Sequence, residues 1–359
     1  MLSSVISRYV AREFLRLFAM ILASFVGLYL IIDFFDRLDT LLRNDATPAL
    51  AARYFLFKIP LIVTQVTPPA VLAAVLVSLG TMSRRNEIVA FRALGVSLGQ
   101  MAVPLLIIAG VISGASLLWE ETVVPYCSRK FQYVNVVEIR KRPQRSLLSD
   151  HEIWYHGREG FYNIDYVDGA RSTLHGLTIY RIDASFAPSS IIEVATARWN
   201  GVGWETSAAS QREFSGRQIV TRALPANTVT IPETLDDFLD VRRAPEELSF
   251  MMLRERIATL TRKGIDASIY LVDLHLKLAV PFASLVLALL GVSLAGRVRR
   301  HPSVAGVIGV GLAAGFGYWV VLALANSLGN SGVLPAAIAA WSANGVFVLI
   351  GTALFLGGE

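Results

Sequence analysis

"IPLIVTQVTPPAVLAAVLVSLGTMSRRNEIVAFRALG", residues 59–95, decides the fold. Its first part, 59–83, contains no Asp, Glu, Lys or Arg. A membrane-spanning helix needs roughly 17–25 apolar residues, and this run supplies one crossing. Arg84, Arg85 and Glu87 then follow within about one helical turn. "IVAFRALG" resumes a helix-compatible pattern up to Gly95, and a second charge-free run covers 93–119. A short, charged, helix-prone segment therefore sits in a tight turn between two spans.

Outward from this turn the same pattern repeats. Charge-free runs cover 17–32, 278–296 and 302–358. The last is long enough for two crossings and holds a polar break, "NSLGNSG" (326–332), so six spans are expected. Of the 359 residues, 54% are hydrophobic and 17% charged, against about 25% charged in a soluble domain. The mean hydropathy of +0.52 points the same way. Runs of this length exclude a transmembrane barrel, whose strands would alternate over about ten residues. The first run lacks a small-x-small cleavage site before Asp33 and reads as a permanent helix rather than a signal peptide.

Arg and Lys near the span ends set the orientation. Arg8, Arg12 and Arg16, then Arg84, Arg85 and Arg92, then Arg297, Arg299 and Arg300 fall on one side of a six-span chain. On the other side Arg37, Arg43, Arg53 and Lys58 are offset by Asp36, Asp39 and Asp45. Both termini are expected in the cytoplasm. The net charge of +5 follows from these flanks, and nucleic acid is not an expected partner, since no aromatic-laced basic patch is present. Cys127 is the single cysteine, so no intrachain disulfide forms. His151, His156, His175, His275 and His301 are scattered, and no metal site is expected.

Residues 129–268 differ in character. "EIWYHG", "GFYNIDYV", "LTIYRI" and "IIEVATARW" are rich in β-branched and aromatic residues, with turn signals at Asp168-Gly169 and Asn200-Gly201. They predict an all-β sandwich or jelly roll outside the cytoplasm. "ELSFMMLRERIATLTRKG" predicts a helix leading back to the membrane, with Ser249 as N-cap, an apolar stripe of Leu253, Ile257 and Leu260, and Lys263 and Gly264 at its end. The fourth span is expected near Leu274. The domains are thus 1–128 (spans one to three, with a cytoplasmic helix at about 83–95), 129–268 (the β-domain and its exit helix) and 269–359 (spans four to six). The Pro68-Pro69 pair in span two predicts a kink or local unwinding. Gly311, Gly315 and Gly317 in span five allow close helix packing.

In the 84–95 turn, Ile88 and Phe91 share one helical face, and Val89 and Ala93 another. Positive-inside anchoring explains Arg84, Arg85 and Arg92. It leaves Glu87 and Phe91 unexplained, and a surface helix that docks a partner is the other reading. "MSRRNEIVAFRALGVSLGQ" resembles the coupling-helix region of the LptF/LptG (YjgP/YjgQ) permeases of lipopolysaccharide export, whose pattern is matched by Glu87, Arg92, Ala93 and Gly95. "RYVAREFLRLF" resembles that family's amino-terminal helix, and "DLHLKLAVPFASLVLALLGVSLAGR" its fourth span. The likeness runs in order over essentially the whole chain. "LIIDFFDRLDTLL" resembles the LptG branch more than the LptF branch.

The resemblance implies a non-catalytic permease subunit in the bacterial inner membrane with a jelly-roll domain in the periplasm. It implies a heterodimer with the second permease paralogue, on two copies of a cytoplasmic ABC ATPase that would bind ATP and Mg. It further implies lipopolysaccharide as cargo, passed to a periplasmic bridge of the LptC/LptA type. No G-x-x-x-x-G-K-[ST] phosphate loop occurs in the chain, so no cofactor is expected here. On this reading Arg84, Arg85, Glu87, Phe91, Arg92, Ala93 and Gly95 couple to the ATPase. The resemblance also puts cationic residues at the outer ends of spans one and two against the lipid's phosphates. Where one of these would align, the chain has Asp33. Phe34, Arg37, Arg43 and Lys58 are the candidates for substrate contact or the lateral gate, with Phe35 and Leu38 beside them, and for any single one an interfacial side chain is the favoured reading. The paralogous LptF subunit, or a membrane protein that transmits ATPase motion without passing a substrate, are alternatives. An intramembrane enzyme finds no paired acids, zinc pattern or Ser/Lys dyad; Asp273 and His275 stand as isolated titratable groups.

Overall fold

The computed structural model describes residues 2–140, 153–157, 160–168, 171–182, 188–215, 218–235, 238, 248–262, 267–297 and 304–357. Among these, six helices are long and apolar enough to cross a membrane: α1 (Leu2–Arg43), α2 (Pro48–Arg84), α4 (Leu98–Tyr133), α6 (Ser268–Arg297), α7 (Val304–Asn330) and α8 (Ala336–Leu356). A short helix α3 (Glu87–Ala93) joins α2 to α4, and α5 (Phe250–Arg262) precedes α6. The chain is a multi-pass membrane protein with an all-β insertion between its third and fourth spans.

The spans are longer than their charge-free cores. In α1 the run 17–32 extends by more than a turn at each end, because charged side chains stay at the rims while the backbone continues its hydrogen bonds. Local chemistry starts each element. Thr47 caps α2 through its hydroxyl, with Pro48 at the first position, where a missing N–H costs nothing. Ser97 and Gln100 form a capping box that opens α4.

The Pro68-Pro69 pair does not interrupt α2, which is one helix from end to end. Neighbouring helices enclose it there, with Pro68, Val71 and Leu72 buried, and unwound backbone would have no water to pair with. α4 passes the expected boundary at 128, ending in a π-helical turn, Val134–Ile139. α6 starts at Ser268, before the expected Leu274. The polar stretch 326–332 is helical up to Asn330, and the turn is confined to 331–335. α6 lies centrally, against α2, α4, α7 and α8. Inside, Tyr318 donates to Asn344 Oδ1 (3.0 Å) and Asn344 Nδ2 donates to Ala279 O (2.8 Å), tying α7, α8 and α6.

The described strands form one seven-stranded antiparallel sheet: β1 (Ile153–His156), β2 (Gly160–Asp168), β3 (Thr173–Ile182), β4 (Pro188–Trp199), β5 (Trp204–Thr206), β6 (Ala209–Ser215) and β7 (Gln218–Leu224). The order is β1-β2-β3-β4-β6-β7, with β5 paired to β4. The four aromatic-rich runs are β1 to β4. Asn200-Gly201 opens a hairpin whose side-chain oxygen on Asn200 accepts from Val202 N and Gly203 N. Gly169 of the other turn signal lies outside the described residues, as do Lys263 and Gly264. The domain core gathers Tyr162, Ile164, Leu177, Ile179, Val194 and Phe238. Trp204 anchors it, donating through Nε1 to Glu233 O at 2.6 Å.

α5 follows the expected pattern. Ser249 Oγ accepts from Met252 N (3.3 Å), and Leu253, Ile257 and Leu260 are buried. Its amino end has a second acceptor from a distant segment: the Glu121 carboxylate of α4 takes Phe250 N at 2.7 Å and Met251 N at 3.4 Å. A carboxylate there also complements the helix dipole.

Candidate functional site

At one end of the bundle, α3 is held at both its own ends by left-handed residues. Asn86 has φ 58° and Gly95 has φ 81°. Val96 N donates to Phe91 O and Gly95 N to Arg92 O, both at 3.0 Å. These are the two bonds of a Schellman motif, which requires a left-handed residue where Gly95 stands. Ser83 and Arg84 belong to α2 rather than to this helix, so the segment expected at 83–95 is two helices and an elbow.

Ile88 and Phe91 pack into a core shared with Ile6, Val10 and Phe14 of α1, Val75 and Leu79 of α2, and Leu105 of α4. Glu87 also points inward, its side chain 23% exposed. Its Oε2 accepts from the Tyr9 hydroxyl at 3.0 Å, and Arg85 Nη1 stands 3.8 Å from Oε1. Arg84, Arg85, Arg92 and Ala93 are exposed. So are Val89 (62%) and Leu94 (63%). Of the residues singled out for coupling, Phe91 thus faces the core. Val89 and Leu94 supply the apolar part of the outer face, and neither was singled out. The signal for Val89 was present: Ile88 and Phe91 on one face leave Val89 on the other.

At the opposite end, near the β-domain, Lys58 Nζ lies 2.6 Å from Asp33 Oδ1, with side chains only 14% and 11% exposed. The ammonium sits 5.6–5.7 Å from the ring centroids of Tyr29, Tyr54 and Phe131. Asp33, which had no role in the sequence reading, is thus the partner that neutralises Lys58. Arg43 pairs with Asp39 one turn back on α1 (2.9 Å), in an exposed bridge. Arg37 is half-buried. Phe34 is 41% exposed and packs on Phe35 and Phe55. The structure also joins Arg53 to Glu138 by two hydrogen bonds, 2.9 and 3.2 Å, pinning the start of α2 to the π-turn. Nothing in the local sequence announces a pair 85 residues apart.

Between these ends an apolar cleft of about 430 Å³ runs along α1, α2 and α7, lined by Phe25, Pro69, Leu72, Leu76, Gly315 and Phe316 among others. Gly311 belongs to this wall: a Cβ there would stand 2.4 Å from Leu76 Cδ1, so glycine sets the approach of α7 to α2. Among the described residues no three His, Cys, Asp or Glu side chains gather as a metal site. His151 and His301 lie outside the described residues.

Comparison with known proteins shows the family of the chain. The family model for the lipopolysaccharide export system permease LptF/LptG matches residues 8–357. The chain is 26% identical over 322 residues, 88% of each protein, to the lipopolysaccharide export system permease protein LptG of Escherichia coli strain K12. It is similar to the same degree to LptG of Escherichia coli O6:H1. The chain belongs to the LptF/LptG permease family of lipopolysaccharide export.

Proposed function

We propose that this chain is the LptG-type permease subunit of an ATP-driven exporter that extracts lipopolysaccharide from the inner membrane. It pairs with an LptF-type paralogue on two copies of a cytoplasmic ABC ATPase, which supply ATP and Mg chemistry that this chain lacks. Both termini and α3 face the cytoplasm, and the β-domain stands in the periplasm, where it hands lipid to a bridge of the LptC/LptA type. The observation that carries the reading is the two-faced α3 elbow. Ile88 and Phe91 root it in α1, α2 and α4, while Arg84, Arg85, Arg92, Val89 and Leu94 stay outside for a partner.

The physics favours cargo over mere signalling. Each acyl CH₂ taken into water costs about 0.8 kcal/mol, so a lipid with several chains needs an apolar path and an external energy source. The cleft along α1, α2 and α7 offers the first. Closure of the ATPase pair would push α3, tilt the spans rooted to it and squeeze the cleft. Arg37 and Arg43 remain the candidates for lipid phosphates, with Phe34 at the opening. Lys58 joins them only if it leaves Asp33.

Two measurements test this. Purification from membranes should bring down a nucleotide-hydrolysing subunit and a second six-span permease, and the complex should carry lipopolysaccharide. In proteoliposomes, Glu87→Lys should abolish lipid-coupled ATP hydrolysis and export while the protein still inserts. Wild-type export in that variant would reject the assignment of α3.

A further inference from the structure

Tyr9 is a side chain that the proposed function does not yet use. It lies near the start of α1, 78 positions from Glu87, and donates its hydroxyl to the Glu87 carboxylate at 3.0 Å. Covalently, α3 continues only into α2 and α4. Its link to α1 is therefore non-covalent: the shared apolar core around Ile6, Val10 and Phe14 and, among the described residues, this hydrogen bond, with Arg85 at the end of α2 also beside the Tyr9 hydroxyl. Apolar packing is non-directional. A hydroxyl donating to a carboxylate is directional and stronger than a neutral hydrogen bond, so even with Tyr9 40% exposed it favours one register of α1 against α3. From Tyr9 the helix runs unbroken to the cleft, where Ile21 and Phe25 form the α1 side of the wall. Sixteen residues of helix make a rigid arm of roughly 24 Å from Tyr9 to Phe25.

We propose that Tyr9 is a positioning residue that clamps α1 to α3 through Glu87, so that a push on α3 moves the α1 wall of the cleft together with α2 and α4. The inference rests on the functional reading above. Glu87 Oε2 holds α1, which leaves Oε1, beside Arg85, and the cationic and apolar outer face of α3 for the partner. Without the clamp the ATPase would still dock and turn over, but one wall of the cleft would lag.

Tyr9→Phe removes the hydroxyl and keeps the ring. The complex with its ATPase and second permease is reconstituted in vesicles containing lipopolysaccharide. Co-purified ATPase and melting temperature should match wild type, and ATP hydrolysis should stay within about twofold. Lipid released per ATP should fall about tenfold, as loss of a hydrogen bond to a charged acceptor predicts. A wild-type ratio overturns the proposal, and so does loss of the ATPase from the Tyr9→Phe complex, which would make Tyr9 part of docking. A second measurement needs no transport. Spin labels replace the exposed Met20 on α1 and Leu349 on α8, with Cys127→Ser to remove the native thiol. Trapping the ATPase with nucleotide should shift their distance in wild type and shift it by less than about half as much in Tyr9→Phe, the hydrogen bond being the directional link. Equal shifts, or no shift in wild type, overturn the clamp. A wild-type complex that shows the shift yet releases no lipid sinks the export reading and leaves the clamp standing.

Discussion

The Lys58–Asp33 pair gives the sharpest energetic test of the bundle, because its two halves are supported unequally. Breaking a buried ion pair by removing one partner costs about 3–5 kcal/mol, since it strands the other charge. Lys58→Met strands Asp33, whose Oδ2 is buried and accepts no hydrogen bond among the described residues. The full cost of about 3–5 kcal/mol is expected. Asp33→Asn strands the ammonium instead, but that group faces Tyr29, Tyr54 and Phe131. A cation over a ring is stabilised by about 0.5–1 kcal/mol, more when desolvated, so three rings recover roughly half the loss and leave a cost of about 1–3 kcal/mol. The double variant removes both charges and both desolvation costs. It should lie within about 1–2 kcal/mol of wild type, far above the sum of the singles. Unfolding free energies of the four proteins, measured by steric trapping in bicelles, give the cycle directly. Equal single costs would refute the role of the rings, and additive costs would refute the pair itself.

Three further outcomes follow from particular contacts. Gly95→Ala forces a side chain into φ 81°, a strain of about 1–2 kcal/mol. It should loosen α3 and lower ATPase stimulation by the permease, measured in the reconstituted complex. Asn344→Ala removes both hydrogen bonds that tie α7, α8 and α6, and should destabilise by about 2–3 kcal/mol, whereas Tyr318→Phe should cost about 1 kcal/mol; the ranking is read from thermal melts in nanodiscs. Glu121→Ala should cost about 1 kcal/mol at the start of α5 and speed amide exchange at Phe250 and Met251, with exchange in α8 unchanged.

The spans were legible because a bilayer enforces them: a helix must hide its backbone over some 30 Å, and charge-free runs of that length have few other uses. The strands β1 to β4 were legible for their aromatic and β-branched residues. The strand β6, "ASQREFS", is polar, so only its pairing with β4 and β7 reveals it, and β7, "QIVTRAL", is seen as the edge strand through its pairing with β6. Pro68-Pro69 argued through local sterics for a kink or local unwinding; the helix continues through the pair, because the missing water that argues against unwinding belongs to the surroundings. Glu87 stood out as a charge without a reason. One of its contacts, Tyr9, was in plain view in "RYVARE", but only the antiparallel passage of α1 beside α2 brings the two together.

That antiparallel passage has a mechanical consequence. α1 touches α3 at its first turns and meets Lys58 through Asp33 near its other end. It is therefore fastened at both rims by polar contacts and, among the described residues, by apolar packing between them, where Ile21 and Phe25 face the cleft. Polar contacts at the ends resist sliding, whereas apolar packing along the middle tolerates small rearrangement. On the proposed mechanism, a push at the α3 rim on such a helix would produce tilt or rotation about its far fastening rather than translation along its axis. The wall of the cleft would then move most near α3 and least near Asp33, driving an apolar occupant toward the β-domain end. If the Lys58–Asp33 fastening is removed in the double variant, α1 loses its pivot. ATP hydrolysis should persist in that protein, and nucleotide trapping should then move spin labels at Leu28 and Met20 on α1 by equal amounts, where in wild type Met20 moves more.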